Sequence, residues 1–365
     1  MFFSNDILFL IKKKAKKIGH RKNYSGYLTY VGKITVKKIY QNFGIKMSDS
    51  STKNKQSEQI LAKMVEKYFY PIKMTSFKEL TEGYFNVAYE IFLSNGNSVI
   101  LKIAPSKEMR IMTYEINIML SEVESLKMAF KKGGILVPKI IGYDDSCIIC
   151  NSPYFFMEKL EGNSLFTVKN SIKQNILNDI YTEIGRINKK INEIRCPCFG
   201  YPGQTEFQGP EWFPIFKKML QAGVDDAQRG SIDIKIPINK LFEYLERDKN
   251  VFSEVTVPQL VHWDLWDGNI FVKDGKVTGI IDWERCIWGD PLLEVGFRCY
   301  DMNPNFLKGY GISSLNENQK RRALWYDIYL FLLQSLECEY RNYETMDFYD
   351  RAIKFLKEQF EKLSD

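Results

Sequence analysis

The stretch from Val261 to Glu284 constrains the fold more tightly than any other part of the chain. The run Val261-His262-Trp263-Asp264-Leu265-Trp266-Asp267-Gly268-Asn269 leads into the apolar residues Ile270-Phe271-Val272 and Val277 to Ile281, with Asp274-Gly275 between them. Asp-Gly between two apolar runs predicts a tight β-hairpin, because that dipeptide accepts the positive φ such turns require. The hairpin returns Asp282 to the side of Asp264 and Asn269, which end a six-residue loop. Two carboxylates and an amide then meet at one point.

A second set of elements lies upstream. Leu80-Thr81-Glu82-Gly83-Tyr84-Phe85-Asn86 opens a glycine-bearing hairpin, and Val87 to Leu93 alternates as a half-buried strand before a turn at Asn95-Gly96. Val99-Ile100-Leu101-Lys102-Ile103 then reads as a buried strand with one cation. A lysine among aliphatic side chains is costly without an ionic partner. The segment from Lys107 to about Lys131 predicts a helix with an apolar stripe of Met112, Ile116, Met119 and Leu120. Glu115 on it is the expected partner, chosen on its distance from the strand end and on the resemblance given below; Glu108 and Glu122, seven residues to either side, are its rivals. Tyr154 to Gly162 reads as a buried strand that runs out into a polar connector. No Gly-x-x-x-x-Gly-Lys-Ser/Thr run occurs, so nothing supports a P-loop ATPase.

Together these features resemble the aminoglycoside phosphotransferase and choline kinase-like superfamily, in which a His-x-Asp-x-x-x-x-Asn loop precedes an Ile-Asp-Trp/Phe-Glu element. The resemblance implies an α+β, protein kinase-like two-lobe fold, with a small antiparallel-sheet N-lobe carrying one helix and a larger, mostly helical C-lobe. The implied division is a basic extension over 1–55, a nucleotide-binding N-lobe over 56–157, a hinge over 158–163 and the C-lobe over 164–365. It also implies roles. Asp264 accepts the substrate hydroxyl proton, Asn269 and Asp282 supply hard oxygens to Mg2+, and His262 braces the loop. Gly83, Asn86, Lys102 and Glu115 serve the phosphates of ATP or GTP. Met157 lines the adenine pocket beside the main chain of Glu158 and Leu160. Asp290, before Pro291, caps a turn as scaffold.

The implied activity is phosphoryl transfer to a hydroxyl of a small molecule, with an aminoglycoside-like antibiotic the first acceptor to try. A metabolic kinase of the choline, homoserine, methylthioribose or fructosamine type is the alternative on the same fold. An inactive nucleotide-binding module is the more distant one, opposed by the presence of Lys102, Asp264, Asn269 and Asp282 together. The sequence departs from the family pattern at Trp263, where members often carry Gly, and at Trp266-Asp267, where many carry His-Pro. Both departures fall where they can reshape the acceptor pocket.

Charge divides the chain unevenly. Residues 1–55 carry 13 Lys/Arg against 2 Asp/Glu, a balance of +11, and the total of +6 therefore leaves −5 for the remainder. An acidic body suits a cationic acceptor, with Glu284, Asp225, Asp226, Glu337 and Glu339 as candidate contacts. In the basic start, the apolar residues Ile7 to Ile11 precede the lysines, the reverse of a secretory signal, so a cytoplasmic protein is expected. That run is too short to span a bilayer, though it suits weak contact with an anionic membrane surface. The other reading of this extension is a natural start at Met47. No nucleic-acid partner is expected. The seven cysteines, with Cys147 and Cys150 placed on one strand, predict neither a zinc site nor a disulfide. Further helices are expected over 172–194, 215–222, 237–245, 316–340 and 346–363.

Overall fold

The computed structural model describes residues 53–81 and 85–364, all within one compact unit, Asp49–Asp365. The chain enters through helix α1 (Glu58–Phe69), whose first turn is capped by the Ser57 hydroxyl accepting from the Ile60 N–H. Leu61, Met64 and Val65 recur at helical spacing and are buried. They cover one face of an antiparallel sheet made of β1 (Met74–Leu80), β2 (Val87–Leu93), β3 (Ser98–Ile103), β4 (Ile140–Asp144) and β5 (Tyr154–Glu158), in the order β1-β2-β3-β5-β4.

The two-residue period of a strand explains how this sheet serves two cores. Val87, Tyr89 and Ile91 on β2, Leu101 and Ile103 on β3, and Tyr154 and Phe156 on β5 pack beneath α1. The alternate residues Phe155 and Met157 join the main core instead, with Met119, Val123 and Leu126 of helix α2 (Ile118–Lys132). Lys102 lies in register between Ala88 and Phe155 and so shares this second face.

Helix α2 begins eleven residues later than the apolar stripe predicts. Asn117 takes the left-handed conformation at φ 54°, and only one 3-10 turn, Thr113–Glu115, precedes it. Glu115 is therefore not on the helix. Cys147 and Cys150 lie in the loop between β4 and β5 rather than on a strand, and Cys147 has φ 56°. All seven cysteines are free thiols.

Beyond β5 come β6 (Asn163–Ser164), α3 (Leu165–Val168), α4 (Gln174–Asn192), β7 (Phe199–Gly200), β8 (Gln208–Gly209), α5 (Trp212–Arg229) and α6 (Ile238–Arg247). They are followed by β9 (Gln259–Val261), β10 (Ile270–Lys273), β11 (Lys276–Ile280), β12 (Ile287–Gly289), α7 (Pro304–Tyr310), α8 (Glu317–Tyr340) and α9 (Asp347–Glu361). The expected hairpin is β10–β11, with Asp274 at φ 51° and Gly275 at φ 76°. Helix α8 is buried around most of its circumference and carries Trp325, Tyr326, Tyr329 and Leu332 into the core. Helices α4 and α7 approach so closely that a Cβ on Gly309 would stand 1.9 Å from the Thr182 carbonyl oxygen. Among the described residues, no helix is long and apolar enough to cross a membrane.

Candidate functional site

The loop after β9 is held by its own backbone and by two buried side chains. His262 is fully buried, and burial keeps its imidazole below its ordinary pKa and hence neutral. One ring nitrogen then donates to the Ile281 carbonyl (Nε2 to O, 3.0 Å) while Nδ1 accepts from the Asp264 N–H at 3.3 Å. The Ile281 N–H bonds to the Asn269 carbonyl at 3.0 Å. These two bonds seat the start of the Asp282 turn directly against both ends of the loop. Glu294 completes the frame by accepting the N–H groups of Trp263 and Leu265, each at 3.3 Å.

Asn269 donates through Nδ2 to the Asp264 carbonyl at 2.9 Å and to its Oδ2 at 3.1 Å. Its Oδ1 is thereby turned away from Asp264. Burial pushes the Asp264 carboxyl up to about 7, with Arg285 pulling it down and Asp282 and Glu337 adding to the rise. Asp282, at φ 65°, offers Oδ1 to the Lys102 Nζ at 2.7 Å. Burial works to raise this carboxyl too, but the charge and hydrogen bond of Lys102 outweigh it and, with Arg285, hold Asp282 below its ordinary value.

Lys102 reaches Asp282 on one side and Glu122 of α2 on the other, at 2.6 Å. Burial opposes its charge, and the carboxylates of Asp282, Glu122 and Glu284 more than restore it. The lysine partner is therefore Glu122, not Glu115. Glu115 instead accepts the Met112 N–H at 2.8 Å and pairs with Arg341 at 2.9 Å. The left-handed turn at Asn117 explains the exchange, since only residues beyond it ride on the helix facing β3.

The remaining candidates divide. Asn86 is buried, donates to Glu284 Oε2 at 2.7 Å, and leaves its own Oδ1 without a partner. Gly83 lies outside the described residues. Met157 is buried on β5, and Leu160 follows on the connector, packed so near Gly279 that a Cβ there would stand 2.3 Å from Leu160 Cδ1. Glu158 turns its side chain outward, while its N–H bonds to the Lys139 carbonyl at 3.0 Å. Asp290 caps Leu292 at 3.1 Å and receives Arg322 and Tyr326, each at 2.8 Å.

Of the carboxylates offered as contacts for a cation, Glu337 is held by Arg285 at 2.7 Å and Arg341 at 3.6 Å, and Asp226 by Thr113 and Arg229. Glu284 is engaged by Asn86. Asp225 is exposed and bonds to Gln221, and Glu339 is exposed. Sequence reasoning missed Arg285, Arg341 and the frame formed by Glu294. The only local signal was Glu294 following the Asp290-Pro291 turn.

Asn269 Oδ1 and the Asp282 carboxylate are hard oxygens on adjoining backbone, a donor set that fits Mg2+. Glu122, Asp282 and Glu284 also bring carboxylate oxygens within 4.8 Å of one another, but Lys102 already stands against two of them.

No curated protein matches the sequence. Among solved structures, a candidate aminoglycoside phosphotransferase of Ralstonia eutropha JMP134 is 12% identical with a TM-score of 0.58, over 84% of this chain and 98% of that one. A candidate fructosamine-3-kinase of Thermobifida fusca YX-ER1 is 14% identical with a TM-score of 0.59, over 82% and 98%. A thermostable mutant of aminoglycoside phosphotransferase APH(4)-Ia, in ternary complex with AMP-PNP and hygromycin B, is 15% identical with a TM-score of 0.59, over 82% and 98%. At such identities the likeness establishes the two-lobe fold. The family profile described as "Phosphotransferase enzyme family" matches residues 76–325, more than half of the chain. With the catalytic-loop pattern, the hairpin and the lysine pair in place, the chain belongs to the phosphotransferase enzyme family.

Proposed function

We propose that the protein is a small-molecule kinase that transfers the γ-phosphoryl group of ATP or GTP to a substrate hydroxyl. The observation that carries this reading is the bridge of Lys102 between Glu122 and Asp282, with Asn269 and Asp264 on backbone hydrogen-bonded to the start of the same turn. Phosphoryl transfer needs alignment and charge neutralisation more than covalent help. Lys102, kept charged by its carboxylates, is suited to the nucleotide phosphates. Asn269 and Asp282 would hold Mg2+, which neutralises charge on the phosphate oxygens.

In this reading Asp264 accepts the hydroxyl proton. A carboxyl raised to about 7 is a better base than an ordinary aspartate yet is half ionised at neutral pH. Neutral His262 has both ring nitrogens engaged and so serves as a brace. Incubating the purified protein with Mg2+, ATP or GTP and a library of hydroxylated amines, sugars and glycosides, followed by mass spectrometry, tests the reading. An acceptor gaining one phosphoryl group, and failing to do so with Asp264→Asn, is the expected result. Nucleotide-dependent modification that persists in Asp264→Asn would remove that residue from its role.

A further inference from the structure

The side chains packed around the Asp264 loop carry their own chemical preference. Arg285 ends the short turn that begins after Asp282, and its guanidinium carbon lies 5.8 Å from the centre of the Tyr114 ring. Tyr114 packs edge-on to Trp263, the residue before Asp264, with ring centres 6.3 Å apart, and Trp263 stacks on Tyr329 at 5.5 Å and 6°. Arg285 lies three residues beyond Asp282, on the turn whose start is hydrogen-bonded to both ends of the Asp264 loop, and its charge draws down the Asp264 carboxyl. Its side chain keeps 13% of its surface accessible.

A guanidinium has five N–H donors and no acceptor. Among the described residues, Arg285 donates one hydrogen bond, to Glu337. Behind it, Arg341 faces both Glu337 and Glu115, so two arginines balance two glutamates and no carboxylate of this group is left over for an ammonium. What this group offers a ligand is N–H donors with none of its own carboxylates left over, which suits oxygen acceptors and gives an ammonium no partner here. Two residues beyond Asp264, the Trp266 indole is 42% exposed, with its edge against Phe166 at 5.3 Å. An exposed indole of this kind presents an apolar face to a ring bearing C–H groups.

We propose that the acceptor is an uncharged, oxygen-rich hydroxyl compound, a sugar, glycoside or polyol with no ammonium group beside the reacting hydroxyl, and that Arg285 determines this specificity. The inference rests on the kinase reading above. Calorimetric binding of Mg·AMP-PNP checks that reading separately, because it needs no acceptor. The specificity is then tested with an acceptor panel in which each compound is present as its free amine, its N-acetyl derivative and, where one exists, its hydroxyl analogue.

The neutral members should show kcat/KM at least about 10-fold above the free amines, the size of effect a single charge contact makes in a partly desolvated site. Arg285→Gln should narrow that ratio to about threefold or less, while Arg285→Lys, which keeps the charge, should preserve rejection of the amine. Arg285→Lys also guards against misreading a folding defect, since it keeps an ionic partner for Glu337. Free amines used as well as or better than their neutral counterparts would overturn the proposal. So would a panel in which no neutral compound is turned over by a protein that binds Mg·AMP-PNP, or a ratio that Arg285→Gln leaves unchanged.

Discussion

Asp264 holds its charge at a cost to the fold. Its folded pKa of about 7 exceeds the unfolded value near 4, so the folded state binds the extra proton between those limits. The contribution of this group to stability is therefore complete below about pH 4 and is lost as pH rises through about 7. Asp264→Asn should remove that pH dependence and raise the unfolding midpoint at pH 8 by roughly 2–4 °C, while lowering kcat by about 10²–10⁴-fold. Thermal unfolding of the nucleotide-free protein at pH 5 and pH 8, for both forms, checks the sign.

Trp263 sets a related balance at the same scale. Its φ of 62° costs about 1–2 kcal/mol relative to a glycine, but its indole is only 2% exposed and stacks on Tyr329. Deleting a buried aromatic side chain costs about 3–5 kcal/mol, so burial outweighs strain. Trp263→Gly should destabilise the protein by roughly 1–4 kcal/mol in urea unfolding, even though it relieves the backbone.

Where helix α2 begins decides which acid serves Lys102. Glu122 is reached at 2.6 Å from the buried lysine, whereas Glu115 sits before the left-handed Asn117 and serves Arg341. Glu122→Gln should raise the KM for nucleotide by about 10-fold or more by loosening Lys102, whereas Glu115→Gln should leave it within about twofold. Glu115→Gln should instead lower unfolding stability by about 1–3 kcal/mol, because Arg341 keeps its charge with a weaker partner. Steady-state kinetics and urea unfolding of the two variants separate the roles, and reversed effects would restore Glu115 as the lysine partner.

The same elements show what the sequence made legible and why. The loop at Asp264, the hairpin and Asp282 are close in sequence, and turn chemistry at Asp274-Gly275 sets their geometry. Lys102 was legible because it is the single cation in an aliphatic run, where burial calls for an ionic partner. The helix start was not, since the stripe of Met112, Ile116 and Met119 continues at helical spacing through a residue that leaves the helical conformation. The Cys147–Cys150 segment failed similarly: its apolar residues suggest a strand, while Cys147 takes a left-handed turn conformation. The Glu115–Arg341 pair joins residues 226 apart, beyond the reach of any local pattern.

Across the described residues, one face of the sheet shares the main core with the helices that follow it, while the other packs under α1. Phe155 and Met157 from the sheet pack in the same cluster as Leu260, Trp283 and Tyr329. Lys102–Asp282, Asn86–Glu284 and Glu115–Arg341 add polar links between distant parts of the chain. A continuous core of this kind predicts a single cooperative unfolding transition, with tryptophan fluorescence and far-ultraviolet circular dichroism changing together. Two separated transitions would show that the sheet and helices are energetically independent.

If Lys102 and Asp282 grip a magnesium-bound nucleoside triphosphate as proposed, isothermal titration of Mg·AMP-PNP detects the grip without any acceptor. Saturable binding to the unmodified protein, weakened about 10-fold or more by Lys102→Ala and by Asp282→Asn yet changed less than about threefold by Asp264→Asn, is the predicted result. Binding that is indifferent to Lys102→Ala and Asp282→Asn, or absent from the unmodified protein, would contradict it.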